Sequence, residues 1–171
     1  MLGFKVDEIK QSNLIQEDDL RDLENRYGVY KVPIIYIAEH ISVHIAIALC
    51  NLYPFKYTKR LYKFALDCIR VIAVSDNCKN TIRLFNLITS YQAGAITSHY
   101  YLKEIHNLIN LSDDHGFELH RIYGFAMMLN ANYSAANIAH FALSMLDAFY
   151  FYDEENIKFK KQKEIFYKHF A

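Results

Sequence analysis

Tryptophan is absent from this 171-residue chain, and proline and glycine are scarce, at two and five residues. An all-β fold draws on both for its many tight turns, so that class is disfavoured from the outset. The five glycines also stand singly. Loops that cradle phosphate need them clustered so that backbone N–H groups can approach the anion, which excludes P-loop and dinucleotide-binding architectures. No Ser or Cys lies between two close glycines, so the nucleophile elbow is missing too. Formal net charge is zero, and no global field draws the chain toward nucleic acid or an anionic membrane. Long uncharged apolar runs are lacking as well. The stretch from Pro33 to Leu52 approaches membrane-spanning length, but Glu39, His40 and His44 interrupt it. A carboxylate there would cost several kcal/mol in a bilayer, so the stretch reads as a core helix and no membrane association is expected.

Cysteine is sparse and odd in number. Cys50, Cys68 and Cys78 have neither the paired short spacing of a zinc knuckle nor the count of a disulfide framework, so reduced thiols in a cytoplasm are expected. The opening residues Met1-Leu-Gly-Phe-Lys-Val-Asp-Glu meet acid too early for a secretory signal, and export is not expected.

What is present is a succession of helical patterns. From Asn132 to Tyr152, Ala135, Ile138, Ala139, Ala142, Leu143, Leu146 and Phe149 recur at three- and four-residue steps, with Ser134 placed to cap the first turn. This stretch predicts a buried central helix that offers Ala and Ser to a close neighbour in its first half and Met145, Phe149 and Tyr150 in its second. Before it, Gln11–Arg26 predicts a short helix capped by Ser12 and ended by Gly28, and Pro33 starts a long helix to about Asn51. Pro54 is expected to turn the chain out, and Thr58 to cap a helix over Lys59–Val74. Further helices are predicted over Cys78–Ala93, with Gly94 in the left-handed closing position, from Thr97 or Ser98 to Leu111, and through Leu119–Leu129. Ser75-Asp76-Asn77 and Ser112 to Gly116 read as turns. Asp153-Glu154-Glu155 opens a last helix, with Phe159, Phe166 and Phe170 as its buried stripe. The expected fold is all-α: a single domain over residues 1–171, a bundle of about eight helices, mostly antiparallel neighbours, with no strand pattern long enough to build a sheet.

Several groupings can carry chemistry. His40 and His44 stand one helical turn apart with Glu39 beside them, the spacing by which a helix can offer two ligands to a metal. The intervening Ile-Ser-Val lacks the glutamate of zinc proteases, so the pair reads as coincidental or as a hydrogen-bonded core pair, no metal is expected, and a site on Glu39, His40 and His44 is the alternative. His99, His106, His115, His120 and His140 show no ligand spacing, and His140 on the central helix reads as an interior histidine bonded to a carbonyl or acid. Lys56 to Lys63 interleaves bases with aromatics as single-strand binders do, but Leu61 and Phe64 turn inward on a helix while Lys59, Arg60 and Lys63 fan outward, which is an ordinary solvated face. Glu17, Asp18, Asp19, Asp22 and Glu24 make the N-terminal helix acidic and offer a surface to a basic partner. Asp67 and Arg70, three apart on one face, can join Arg121 in a polar network that fixes helix register. Gly124 inside a helix calls for a neighbour that comes close.

Three stretches, read together, resemble the helical immunity proteins of bacterial toxin systems of the Imm5 type. Phe64, Ala65, Asp67, Cys68 and Arg70 are similar to the family's opening helix, where an aromatic and Ala precede Asp-Cys and then Arg. Asp76-Asn77, Ile82 and Tyr91-Gln-Ala-Gly94-Ala-Ile96 resemble its acidic turn and the aromatic-x-x-Gly-x-Ile ending of its next helix. Arg121-Ile-Tyr-Gly124-Phe-Ala126, with Ala131 and the alanine-rich helix behind it, resembles Arg-x-x-Gly-His-Ala and the family's long alanine helix. The chain departs from that pattern at Phe125 and Ala131, where the family has His, and at Tyr91, where it has Trp. The likeness covers about residues 58–150, leaving 1–57 and an amphipathic 153–171 outside it. It implies a cytoplasmic protein that neutralises a cognate toxin by steric occlusion, with no catalysis and no cofactor. A small helical metal-dependent enzyme built on Glu39, His40 and His44, or a helical adaptor, are the other classes the residues leave open.

Overall fold

A computed structural model of the chain describes residues 2–76, 78–110, 117–131, 133–150 and 155–171. Near the N-terminus two short extended pieces meet: β1 (Gly3–Lys5) pairs antiparallel with β2 (Lys31–Pro33), Phe4 opposite Val32. Glycine is required at position 3, because a Cβ there would run into the Val32 carbonyl oxygen. The pairing corrects the expectation of no sheet. Three residues are too few to leave an alternating pattern, and the strands are joined by packing Phe4 and Val32, both fully buried, into the core.

Between the strands lie α1 (Val6–Ser12) and α2 (Glu17–Tyr27) in place of one helix over Gln11–Arg26. Ser12 closes α1 instead of capping α2: its hydroxyl donates to the Ile9 carbonyl at 2.5 Å, and Asn13 follows in the left-handed region at φ 54°. Gly28, at φ 52°, ends α2 as expected. The run from Pro33 to Asn51 also divides, into α3 (Ile34–His40), α4 (Val43–Leu49) and a 3-10 turn at Cys50–Leu52. Here the break is built by Ser42, whose extended backbone and side chain, accepting from His44 N at 3.1 Å, cap a new helix. Pro54 does not turn the chain out. It begins α5 (Pro54–Asp76), since proline in a first turn loses no helical hydrogen bond.

At 23 residues α5 is roughly 34 Å long and forms the axis of the molecule. It takes in Ser75 and Asp76, which were expected to turn; Asn77 lies outside the described residues. After it come α6 (Lys79–Gln92), α7 (Ser98–Asn110), α8 (Phe117–Asn130), α9 (Ala135–Phe149) and α10 (Glu155–Phe170). Gly94 closes α6 at φ 71°. The polar break at 112–116 and the acids at 153–154 lie outside the described residues.

α9 is the predicted central helix. Ser134 caps it, accepting from Asn137 N at 3.2 Å, and it packs most extensively on α5. Ala139, Ala142, Leu143 and Leu146 are fully buried, while Phe149 and Tyr150 are only half-buried, so the bulky end of the rod reaches the surface. Its small side chains let α5 come close, and Ala65 and Cys68 of α5 are equally buried. α10 covers α5 from another side: Phe166 and Phe170 stack at 4.3 Å and both meet the ring of Phe64 edge-on. Phe159 is exposed, against expectation, and the buried stripe of α10 is Gln162, Ile165, Phe166 and Phe170. Among the described residues helix accounts for 82%, in ten α-helices forming one body where about eight were expected, the extra ones coming from the divided N-terminal runs. Among the described residues no helix is long and apolar enough to cross a membrane.

Candidate functional site

α2 buries little. Of its side chains only Leu23 is in the core, and Glu17, Asp18, Asp19, Asp22 and Glu24 all face outward. Three of them fall in the first turn, where the helix dipole favours negative charge. Arg21 sits between Glu17 and Asp18 at 3.9 and 3.8 Å, and Glu24 pairs with Lys10 at 3.1 Å. Asp19 and Asp22 carry no ion pair among the described residues. Neither helix polarity nor internal pairing accounts for Asp22.

The break at Ser42 decides what the histidines can do. Residues four apart share a face only on a continuous helix, and His40 and His44 end up on different ones. His40 stacks on Tyr36 at 4.0 Å and its Nδ1 lies 3.2 Å from the Tyr36 carbonyl, with Glu39 at 4.0 Å. His44 faces α9 instead. Its Nε2 lies 2.7 Å from Asp147 Oδ2, and its Nδ1 lies 3.3 Å from His140 Nδ1. Asp147 also accepts from Gln162 of α10, a buried amide. With the His44 Nε2–H donating to Asp147, the Nδ1 of that ring is the acceptor that faces His140 Nδ1–H. His140 is exposed and bonded to another imidazole, not the interior histidine on a carbonyl or acid that its position suggested. Although the residue as a whole is exposed, partial desolvation of its ring against the neighbouring helix, then the adjacent His44, push its proton affinity below the ordinary imidazole value, against the pull of Asp147. The hydroxyls closest in sequence serve the backbone: Ser42 Oγ accepts from His44 N, and Ser144 Oγ donates to the His140 carbonyl. A cavity of about 350 Å³ opens beside this cluster, lined by Glu39, His44, Asp147, Phe159, Gln162 and Lys163 among others. Phe159, which stays out of the core, forms part of its wall.

Asp67 and Arg70 lie on the same face of α5, but Asp67 does not use Arg70. Its carboxylate accepts from Lys168 Nζ at 2.6 Å and from His169 Nε2 at 2.8 Å, both on α10. Burial alone would raise this carboxyl, but the two hydrogen bonds and the adjacent charges outweigh it and hold the group below its ordinary range. Arg70 extends into solvent beside them. Asp67 thus clamps α5 to α10 and does not bond Arg70.

No family model matches the chain, and no curated protein or solved structure matches it.

Cys68 is fully buried and its thiol is pushed well up by that burial, with Asp67 and Asp147 adding to the effect. Gly94 supplies the positive φ that ends α6. Arg121 is half-buried on α8. Gly124 is not a point of backbone approach: a Cβ there would meet only the Phe141 ring, at 3.7 Å. Phe125 is wholly buried, and Tyr91 stacks on Tyr101 at 4.1 Å. Among the described residues no group of three His, Cys, Asp or Glu is arranged to hold a metal. Sequence reasoning missed Asp147, Gln162, Lys168 and His169. Each meets its partner only through tertiary packing, and the polar residues placed on the otherwise apolar inner face of α9 and α10 were the signal available.

Proposed function

We propose that this chain is a non-catalytic binding protein that meets a basic protein partner through the outer face of α2, as an immunity protein covers and neutralises a toxin. The observation that carries the reading is the pair Asp19 and Asp22, exposed and without an ion pair among the described residues, on a helix that also carries Glu17 and Asp18, whose side chains are 89% and 97% exposed. Such a face costs the fold some self-repulsion and returns nothing to packing, while it speeds encounter with a positive surface. The metal-enzyme alternative loses its footing at the helix break, which points His40 and His44 to separate partners. An adaptor reading draws on Phe55, Val29 and Tyr30, which are 96%, 88% and 76% exposed.

The experiment is a calorimetric titration with the protein encoded beside this gene. The double reversal Asp19→Lys and Asp22→Lys is expected to weaken binding roughly tenfold or more, with the loss falling mainly on the association rate and shrinking in high salt. Binding that survives the reversal unchanged would remove α2 as the docking face, and binding abolished by Phe55→Ser would move the interface to the start of α5.

A further inference from the structure

Lys63, Leu66, Arg70 and Val74 recur along α5 as a single stripe, and Ile82, Phe85 and Thr89 form the facing stripe of α6. Between them lies an open groove of about 490 Å³, bounded by Lys168 and His169 of α10. That size falls within the roughly 300–1,000 Å³ of small-molecule sites, which are mostly apolar with a few placed polar groups. The floor is of this kind: Leu66, Ala73, Ile82 and Phe85 supply carbon, and the charge sits at the rim.

The charge is one-sided. Lys63, Arg70 and Lys168 face the groove as full cations, and the single carboxylate among the lining residues is Asp67. Asp67 is already engaged, accepting from Lys168 and His169 at once. Arg70 and Lys63 are exposed and have no hydrogen bond or ion pair among the described residues. A second hollow of about 300 Å³ lies against the other side of Asp67, Arg70 and Lys168, so the guanidinium stands between two recesses and is not covered by either wall. Arg70 presents a planar fork that matches a carboxylate or phosphate, and apolar walls on one side lower the screening of that interaction.

We propose that the α5–α6 groove binds an amphipathic organic anion, its carboxylate or phosphate head on Arg70 and Lys63 and its hydrocarbon body along Leu66, Ile82 and Phe85. The site is separate from the acidic face of α2, and neither reading depends on the other.

The test titrates the full chain with dodecanoate, dodecyl phosphate, dodecanol and inorganic phosphate, followed by calorimetry and by shifts of the Phe85 ring resonances. One or both anionic amphiphiles bind saturably at one equivalent, and whichever binds tighter identifies the head group. Dodecanol and inorganic phosphate each bind at least tenfold more weakly. Arg70→Gln and Lys63→Gln, both at exposed positions that leave helix content unchanged, weaken the anion at least tenfold and fivefold. Dodecanol binding as well as dodecanoate, inorganic phosphate binding as well as dodecyl phosphate, no saturable binding of either amphiphile, or Arg70→Gln without effect would each overturn the proposal.

Discussion

His44 Nε2 lies 2.7 Å from Asp147 Oδ2, a contact across 103 residues of sequence that ties α4 to α9. The other carboxylate oxygen accepts from Gln162, which brings in α10. One side chain thus holds three helices in register. Asp147→Ala removes both bonds and leaves the buried Gln162 amide without its acceptor. A hydrogen bond to a charged group contributes about 1.5–3 kcal/mol. The variant is expected to lose about 2 kcal/mol in urea unfolding with an unchanged slope, and Asp147→Asn about half as much. A loss under about 0.5 kcal/mol would mean that water replaces the carboxylate freely.

The same cluster sets a pH response. His140 titrates below its ordinary value of 6.5 in the fold, because partial desolvation of its ring and then the neighbouring His44 disfavour its charged form. The unfolded chain therefore binds this proton more readily than the folded one. Stability from His140 is complete above that ordinary value, declines as pH falls through it toward the folded value, and is constant below. His140→Gln should flatten this part of the stability profile, where pH falls through and below the ordinary value of 6.5. An imidazole proton of His140 that titrates above 6.5 by NMR would reverse the sign.

The three thiols differ sharply in access. Cys68 is fully buried with its thiol pushed well up, and Cys50, also buried and donating to the Ala46 carbonyl, is pushed up to about 12. Cys78, ahead of α6, is half-exposed. Only the thiolate reacts. A thiol-specific disulfide reagent at neutral pH should therefore take one equivalent from the native protein and three after denaturation. Three fast equivalents without denaturant would place α5 and α4 in an open state.

Two glycines should respond oppositely to alanine. Gly124 sits in α8 with room for a methyl group against Phe141 at 3.7 Å, so Gly124→Ala is expected to stabilise by about 0.5–1 kcal/mol through helix propensity. Gly94, at φ 71°, has open space around it but a backbone that L residues resist, and Gly94→Ala should cost about 1 kcal/mol. Thermal unfolding distinguishes the two. A destabilised Gly124→Ala would restore the close-approach reading made from sequence.

Helical class, the central alanine helix and its Ser134 cap were legible because each is a local pattern. The split of the Pro33–Asn51 run was not, since Ser42 breaks an apolar sequence by bonding its own neighbour, an option any serine has and few take. That one break also separates His40 from His44, which the spacing alone would place on one face. Pairing of β1 with β2 depends on Gly3 meeting Val32 nearly thirty residues away, and no period of two extends far enough to announce it. The partners of Asp67 and His44 lie about a hundred residues off, beyond any spacing rule.

The clasp of α10 on α5 bears on how this chain can be divided. Phe64 shares its ring contacts with Phe166 and Phe170, and Asp67 depends on Lys168 and His169. A fragment trimmed to residues 58–150 would open a greasy flank and strand a carboxylate beside it. Such a piece belongs with sticky folding intermediates, and biochemistry on this protein calls for the chain whole.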